Sequence, residues 1–510
     1  MYKKKDYVGA LVSSLNKEEK RRFTLLFGKE KDSKEPPLYY DLYQAYENKE
    51  SELSKIESAV QPSTITSAKR RLYNNILRTL RDLNEDSSTD TLIQNKLTNV
   101  ELLYRHSLPE QGLLELHKAF KVARSYEKFG LMLQLLDWEK RLNLVLSHPS
   151  RPIMEIKAEE RDILQKFAQQ MDLEGIYAHI VSLKREMGYA KGKNREILEQ
   201  ATIASPLMPS EKDCLSNNAL FYRHYIYAIY YWMIFEHHQA YAHSKKLIEF
   251  SNHNIQPNDY LSGIFQHITS SVCLRLFDDT LNGIVLAEAF MDEHKLQQSK
   301  PFSCIMFAYH ANYKMIVLNY MGRREELQDF ISVVERRLVA EGNSMPFDAR
   351  QIILANLMVS YMGIGQLEHA SKARERILQL KQKHSIRLDI LTDTYLFQLF
   401  LLLQSGDYEL IKPAAQAAVR FFRKNEDSQN VFNVEMPIAL LLSKDHNFED
   451  NKVRKAILSK CRETISTFIR NVTGELNFQE HYSRYLIWID AIENGAQFYI
   501  LANEWNLKKY

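Results

Sequence analysis

Glycine and proline are scarce: the 510-residue chain holds 16 Gly and 13 Pro. Collagen-like and low-complexity disordered chains need far more of both, and a turn-rich all-β fold also sits badly with so few. Cysteine is scarcer still. Cys214, Cys273, Cys304 and Cys461 fall in no CxxC or other metal-like spacing, and all lie inside apolar helical patterns. That predicts buried free thiols in a reducing cytoplasm rather than a disulfide framework. No apolar run approaches the roughly 20 residues needed to cross a bilayer. The most apolar stretch, Leu220 to Phe235, is broken by Arg223 and His224, and Leu399 to Leu403 is far shorter. Charge of one sign is missing too. The 67 Lys and Arg nearly balance 64 Asp and Glu, a net +3, so no global polyelectrolyte partner is implied.

What the chain does have is 3.6-residue periodicity almost throughout. The N-terminal Met-Tyr-Lys-Lys-Lys followed by Tyr7 to Leu15 imitates a signal peptide. However, Val8, Leu11, Val12 and Leu15 share one helical face, and Asn16-Lys-Glu-Glu-Lys-Arg-Arg22 follows in place of a cleavage site. The expectation is an amphipathic first helix. Residues 1–85 form an N-terminal basic helical domain with helices near 7–15, 17–27, 37–47, 51–58 and 64–83; it carries 17 Lys and Arg against 13 Asp and Glu. Residues 86–205 form an irregular helical-hairpin region with helices near 91–107, 110–127, 129–146 and 154–188. Residues 206–510 form a repeat solenoid with C-terminal capping helices.

In that last part, polar turns begin near His237, Asp278, Gly322, Gly365, Gly406 and Asn447, at intervals of 41, 44, 43, 41 and 41 residues. Near-equal spacing is the signature of stacked helical hairpins. Gly365-Gln-Leu-Glu-His-Ala370 and Gly406-Asp-Tyr-Glu-Leu-Ile411 resemble the loop of tetratricopeptide repeats, in which Gly opens the turn and a small residue follows five later. Tyr361 also matches a usual aromatic position. The period is longer than the usual value of about 34 by roughly two helical turns, one per helix. Through Leu15-Asn-Lys-Glu-Glu-Lys-Arg-Arg-Phe23, Leu72-Tyr-Asn-Asn-Ile-Leu-Arg-Thr-Leu-Arg81 and Trp138-Glu-Lys-Arg-Leu142, the chain also resembles an uncharacterised bacterial family of tetratricopeptide-like helical-repeat proteins. That resemblance implies a repeat architecture and no activity. The fold expected is all-α: a right-handed α-solenoid of long hairpins plus an N-terminal helical domain.

Motifs that carry chemistry are sparse. Gly188-Tyr-Ala-Lys-Gly-Lys-Asn194 has three residues between its glycines and no Ser or Thr after Lys193, which makes it a basic interhelix loop rather than a phosphate loop. Histidines crowd at 224, 237, 238, 243, 253 and 267 without HExxH spacing, and are expected on the surface and in grooves. No GxSxG or GxGxxG occurs, and the carboxylates sit in ordinary charged helix faces. The expectation is a protein with no enzymatic activity and no cofactor. Phe221 to Trp232 is aromatic on nearly every face and reads as core, with a peptide recess as the functional alternative.

Two binding surfaces remain. Stacked hairpins turn their first helices to a concave side. The polar residues interrupting those helices are therefore candidates for contact with a protein or peptide: Arg223 and His224 with Tyr227 as an aromatic anchor, then Gln266, His310 and Lys314, Asn356, and Thr394 with Gln398. This makes a peptide- or protein-binding scaffold, its partner unidentified, the leading reading. The alternative is a transcriptional regulator. Leu53, Ile56 and Val60, the turn Gln61-Pro-Ser63 and a helix from Ile65 to Leu83 outline a helix-turn-helix in which Lys69, Arg70, Arg71, Arg78 and Arg81 could meet DNA phosphate. That two-part layout resembles bacterial peptide-responsive regulators with tetratricopeptide-like domains.

Overall fold

The computed structural model describes residues 6–28, 37–48, 50–83, 88–190, 192–250, 255–294, 296, 300–342, 345, 347–381, 387–426, 432–471 and 476–507. Among them the fold is all-α, with 24 α-helices, no strand and 83 % of residues helical. The chain divides into two compact units, Met1–Ile163 and Leu164–Tyr510.

The first unit opens with α1 (Tyr7–Ser14), α2 (Lys17–Phe27), α3 (Leu38–Asn48), α4 (Glu50–Ala59) and α5 (Pro62–Leu83). Asn16 starts α2 with a reciprocal capping box to Glu19, each side chain taking the other's backbone N–H. The long α5 lays Ala68, Leu72 and Ile76 against Phe23, Tyr40 and Tyr43 of α2 and α3. There follow α6 (Thr89–Arg105), α7 (Pro109–Ser125), α8 (Phe129–Asn143) and α9 (Ile153–Met187), within which the unit boundary falls. Glu139 is buried on α8 and is held by Arg151 through two 2.9 Å bonds. Such pairing is what a buried carboxylate requires.

The second unit comprises the remainder of α9, then α10 (Lys193–Ala201), α11 (Asn217–Met233), α12 (His237–Glu249), α13 (Pro257–Cys273), α14 (Phe277–Glu293), α15 (Lys300–Tyr320), α16 (Arg324–Glu341), α17 (Phe347–Gly363), α18 (Leu367–Lys381), α19 (Leu388–Ser405), α20 (Tyr408–Asn425), α21 (Glu435–Leu442), α22 (Asn451–Asn471), α23 (Leu476–Asn494) and α24 (Phe498–Leu507). Helices pack pairwise in sequence, as α11 on α12, α13 on α14 and α17 on α18. The odd-numbered members also pack on one another, α11 on α13, α13 on α15, α15 on α17 and α17 on α19. At the end, α23 lies against α19, and α24 against α15 and α17. Trp488 and Phe498 stack there at 3.8 Å in the largest apolar core.

One backbone device recurs at the helix–helix turns. A residue with positive φ ends the first helix, and the next N–H bonds back five residues, as in Arg323 to Leu318, Gln366 to Tyr361 and Asp407 to Leu402. This is the Schellman arrangement, and glycine suits it because it has no Cβ to collide with the carbonyl. The following residue then adopts an inverse γ-turn (Arg323 φ −81, ψ 68; Asp407 φ −79, ψ 58), and the second helix begins without a side-chain cap. Gly322, Gly365 and Gly406 hold the left-handed position at three turns, but Ser107, Glu127, Phe235 and Arg275 hold it at four others. The small residue expected five after Gly365 is Ala370, fully buried.

No helix among the described residues is long and apolar enough to cross a membrane. The four cysteines are unpaired. Cys304 and Cys461 are buried as expected, whereas Cys214 and Cys273 are half-buried. Cys214 lies outside any α-helix, directly after a 3-10 turn at Glu211–Asp213.

The turns give a direct test. A Cβ at Gly406 would have no neighbour within 4 Å, so Gly406→Ala should lose about 1 kcal/mol from left-handed strain alone. Ser107→Gly, which removes such strain, should gain up to about 1 kcal/mol. Denaturant unfolding of the two variants against the parent measures both signs.

Candidate functional site

The first helices of the hairpins in the second unit share a cavity of about 670 Å³. Its walls come from α9, α11, α13, α15, α17, α19 and α23, while α12 and α14 contribute only their first residues, His237 and Phe277. Three predicted contact residues meet in it: Gln266, Asn356 and Thr394. Asn356 Nδ2 donates to Asn312 Oδ1 at 3.4 Å, and the Thr394 hydroxyl is spent on the Ile390 carbonyl. The other six candidates do not line it.

The walls are largely aromatic. Phe265 and Tyr309 stack almost parallel at 3.9 Å, and Tyr189 and Trp232 stack at 4.7 Å. The Phe221 to Trp232 segment is core as expected, and also presents Tyr225, Ile229 and Trp232 to the cavity. Polar atoms punctuate these walls. The Tyr313 and Thr269 hydroxyls lie 2.6 Å apart, and Tyr225 donates to the Ser262 carbonyl at 3.0 Å. Trp232 Nε1, His237 Nδ1 and Asn319 Oδ1 are buried with no hydrogen-bond partner. Orphaned polar atoms are unusual in a folded interior, and here three border one cavity.

Charge in the cavity is lopsided. Lys184, Arg185, Arg275, Arg387 and Arg484 line it against one carboxylate, Asp393. Arg484 grips Asp393 at 2.8 and 2.9 Å, and Tyr485 donates to the same carboxylate at 2.6 Å. Arg387 is bridged to Asp389, and Arg275 bonds the Ser483 hydroxyl at 2.6 Å. Lys184 Nζ donates to Gln266 Oε1 at 3.3 Å and lies 4.6 Å over the Trp232 ring. Burial, with the Arg387 charge beside it, pushes the Lys184 ammonium down to about 8.

Arg223, His224 and Tyr227 build a separate cluster. Arg223 stacks over Tyr227 at 4.6 Å, donates to the Pro209 carbonyl and lies 3.6 Å from Glu211. His224 Nδ1 meets His243 Nδ1 at 3.0 Å, so one ring must donate while the other accepts. The histidines expected at the surface are therefore partly core: His224, His237 and His267 are buried. They sit on helices whose apolar faces leave them no route to water. His238 is exposed, and His253 lies outside the described residues. No group of three or more His, Cys, Asp or Glu suited to a metal occurs among the described residues. His310 and Lys314 share a face, as their spacing requires, and both rest on Phe330 of α16, at 5.3 and 4.8 Å. Gln398 is half-buried on α19.

The basic helix of the first unit shows a cleaner face. Arg70, Asn74, Arg78 and Arg81 are exposed and follow one another at three- and four-residue steps along α5. The three arginines make no ion pair among the described residues. Lys69 and Arg71 are instead drawn over Tyr46 and Tyr39, at 5.8 and 4.7 Å.

Sequence reasoning missed Lys184 and the arginines of the cavity, and reached Trp232 only through the alternative reading of the Phe221 to Trp232 segment as a peptide recess. α9 and α23 fall outside the hairpin period, so periodicity gave no signal that they would line it. No family model matches the chain, and neither a curated protein nor a solved structure matches it.

The histidine pair predicts a pH dependence. Burial first, and neighbouring positive charge next, hold His224 and His243 at about 4. The unfolded chain binds protons there from about 6.5 downward, so stability should fall as pH drops from about 6.5 to about 4 and level off below. Buried His224 alone accounts for on the order of 3 kcal/mol of that loss. Melting temperatures across this range should fall less in a His224→Gln, His243→Gln double variant than in the parent.

Proposed function

We propose that the protein is a non-enzymatic binding protein, in which residues 206–510 form a right-handed α-solenoid of tetratricopeptide-like hairpins with C-terminal capping helices and, together with α9, enclose a short peptide segment along their first helices. The carrying observation is that seven helices, at positions from 177 to 484, converge on one aromatic, positively charged cavity. A volume of about 670 Å³ falls within the roughly 300–1,000 Å³ of ordinary ligand pockets. The near-equal turn intervals, the shared turn geometry and the next-but-one packing of odd-numbered helices all support the solenoid. The resemblance to bacterial tetratricopeptide-like proteins agrees with it, and the unpaired cysteines suit the cytoplasm. The peptide's source is a partner protein or a free peptide.

Blocking the cavity tests this reading. Ala355→Trp and Ser262→Trp each place an indole in it. Both should keep full helix content, and both should weaken binding of a randomised pool of N-acetylated apolar tetrapeptides at least tenfold. Parent-like binding by both variants would overturn the inner-face assignment.

The exposed arginine row on α5 favours a second reading, a regulator that holds DNA through its first unit and senses a peptide through its second. In the full chain, replacing Arg70, Arg78 and Arg81 by Ala should weaken retention of duplex DNA and flatten its salt dependence, because each phosphate contact adds to the slope. No retention by the parent at low salt would remove this reading.

A further inference from the structure

Lys184 is a cavity cation that makes no ion pair among the described residues. The guanidinium of Arg387 has Asp389, and that of Arg484 has Asp393. Lys184 has no carboxylate within 4 Å among the described residues; its ammonium has one long bond to Gln266 Oε1 and the face of Trp232. An ammonium carries three donors, so this contact leaves two without a protein acceptor among the described residues. Burial raises the cost of keeping the charge, and Arg387 raises it further. A charge withdrawn from water needs a partner that accepts its hydrogen bonds and cancels its field. Neither Gln266 nor an indole face cancels a full charge, and what the corner lacks is an anion.

The surroundings specify what that anion is attached to. Next to Lys184 the wall is Trp232 stacked on Tyr189, and further along the cavity Phe265 is stacked on Tyr309. Flat aromatic walls take an apolar or aromatic body, and the charges of Arg387 and Arg484 are already met by Asp389 and Asp393 rather than left for a polyanion such as a nucleotide triphosphate. We infer that Lys184 is the anchor for a single carboxylate carried on an apolar or aromatic body, in the first instance the C-terminal carboxylate of the peptide the cavity encloses. Gln266 is its positioning residue, holding Nζ on the indole face, and Gln266 Nε2 is braced in turn by Ser270 Oγ at 3.5 Å.

This inference rests on the peptide-binding reading, and it adds which end of the peptide is held and by what. It also explains why a half-satisfied lysine sits in the wall. In the empty protein that charge destabilises the fold, and a carboxylate ligand relieves it. Removing the charge should therefore raise the melting temperature while weakening binding, whereas a purely structural lysine would lower it on removal.

The test uses the full chain and three probes: the randomised apolar tetrapeptide pool with a free C-terminal carboxylate, the same pool amidated, and decanoate. Affinities are measured on the parent, Lys184→Met and Lys184→Arg. The expected result is at least a tenfold preference of the parent for the free-acid pool over the amidated one. Lys184→Met should lose that preference and melt no lower than the parent, and Lys184→Arg should retain part of the preference. Equal binding of acid and amide by the parent would overturn the inference and leave peptide binding standing. So would a preference that survives in Lys184→Met. Binding of decanoate without either peptide pool, lost in Lys184→Met, would uphold the carboxylate anchor and overturn the peptide. Binding of none of the three would overturn both.

Discussion

Everything in the second unit depends on one three-residue turn. A left-handed residue halts the first helix, its successor closes the 6→1 hydrogen bond, and an inverse γ-turn launches the second helix. The geometry repeats with different side chains, so each hairpin returns in much the same way and alternate helices come to lie together. That places α11, α13, α15, α17 and α19 side by side. Polar residues that interrupt those helices, far apart in the chain, then face a common space. Where Phe235 and Arg275 occupy the left-handed position, the backbone accepts strain that Gly would avoid. Phe235 is buried and stacks on Tyr189 at 4.1 Å, so its packing offsets that cost.

The cavity shows how an interior can hold several cations. Arg484 and Arg387 bring carboxylates with them, and the Tyr485 hydroxyl completes the environment of Asp393. These pairs are structural: each guanidinium has its carboxylate within the protein, and breaking one partner would leave an uncompensated charge. Tyr225 and Tyr313 serve both demands, since each gives a ring to the wall and a hydroxyl to a neighbour. The wall is thus stiff and apolar, apart from a few points where polar atoms lack a protein partner.

Helices were legible in the sequence almost to the residue. The expected helix at 64–83 is α5 at Pro62–Leu83, and the expected stretch at 154–188 is α9 at Ile153–Met187. Local periodicity determines such elements, and it needs no knowledge of what they pack against. The turns at Gly322, Gly365 and Gly406 were legible because Gly announces a positive φ. The turns ahead of His237 and Asp278 were legible from their spacing, but not that Phe235 and Arg275 would hold the left-handed position there, since neither residue signals it. Among candidate site residues, Gln266, Asn356 and Thr394 were found because a polar residue in an apolar helix is conspicuous. Arg223 and Lys314 were conspicuous for the same reason, yet they pack beside Tyr227 and Phe330, away from the cavity. Composition cannot tell a cation that faces a cavity from one whose alkyl stem covers a neighbouring ring. Lys184 lay in an ordinary charged stretch, and only tertiary structure surrounds it with indole.

The closing of the array by its last helices sets an order of events. Arg275 reaches Ser483 across 208 residues of chain, Arg484 reaches Asp393 across 91, and α24 lies on α15 and α17. Nearly all other packing joins neighbours in sequence, which forms early and fast, whereas distant pairings wait for loop closure. On a ribosome, successive hairpins can settle as they emerge. The wall containing Arg484 arrives only after most of the chain has been synthesised. The stretch of wall at Arg484 is consequently the last part of the cavity to form and, under partial unfolding from that end, the first to be lost.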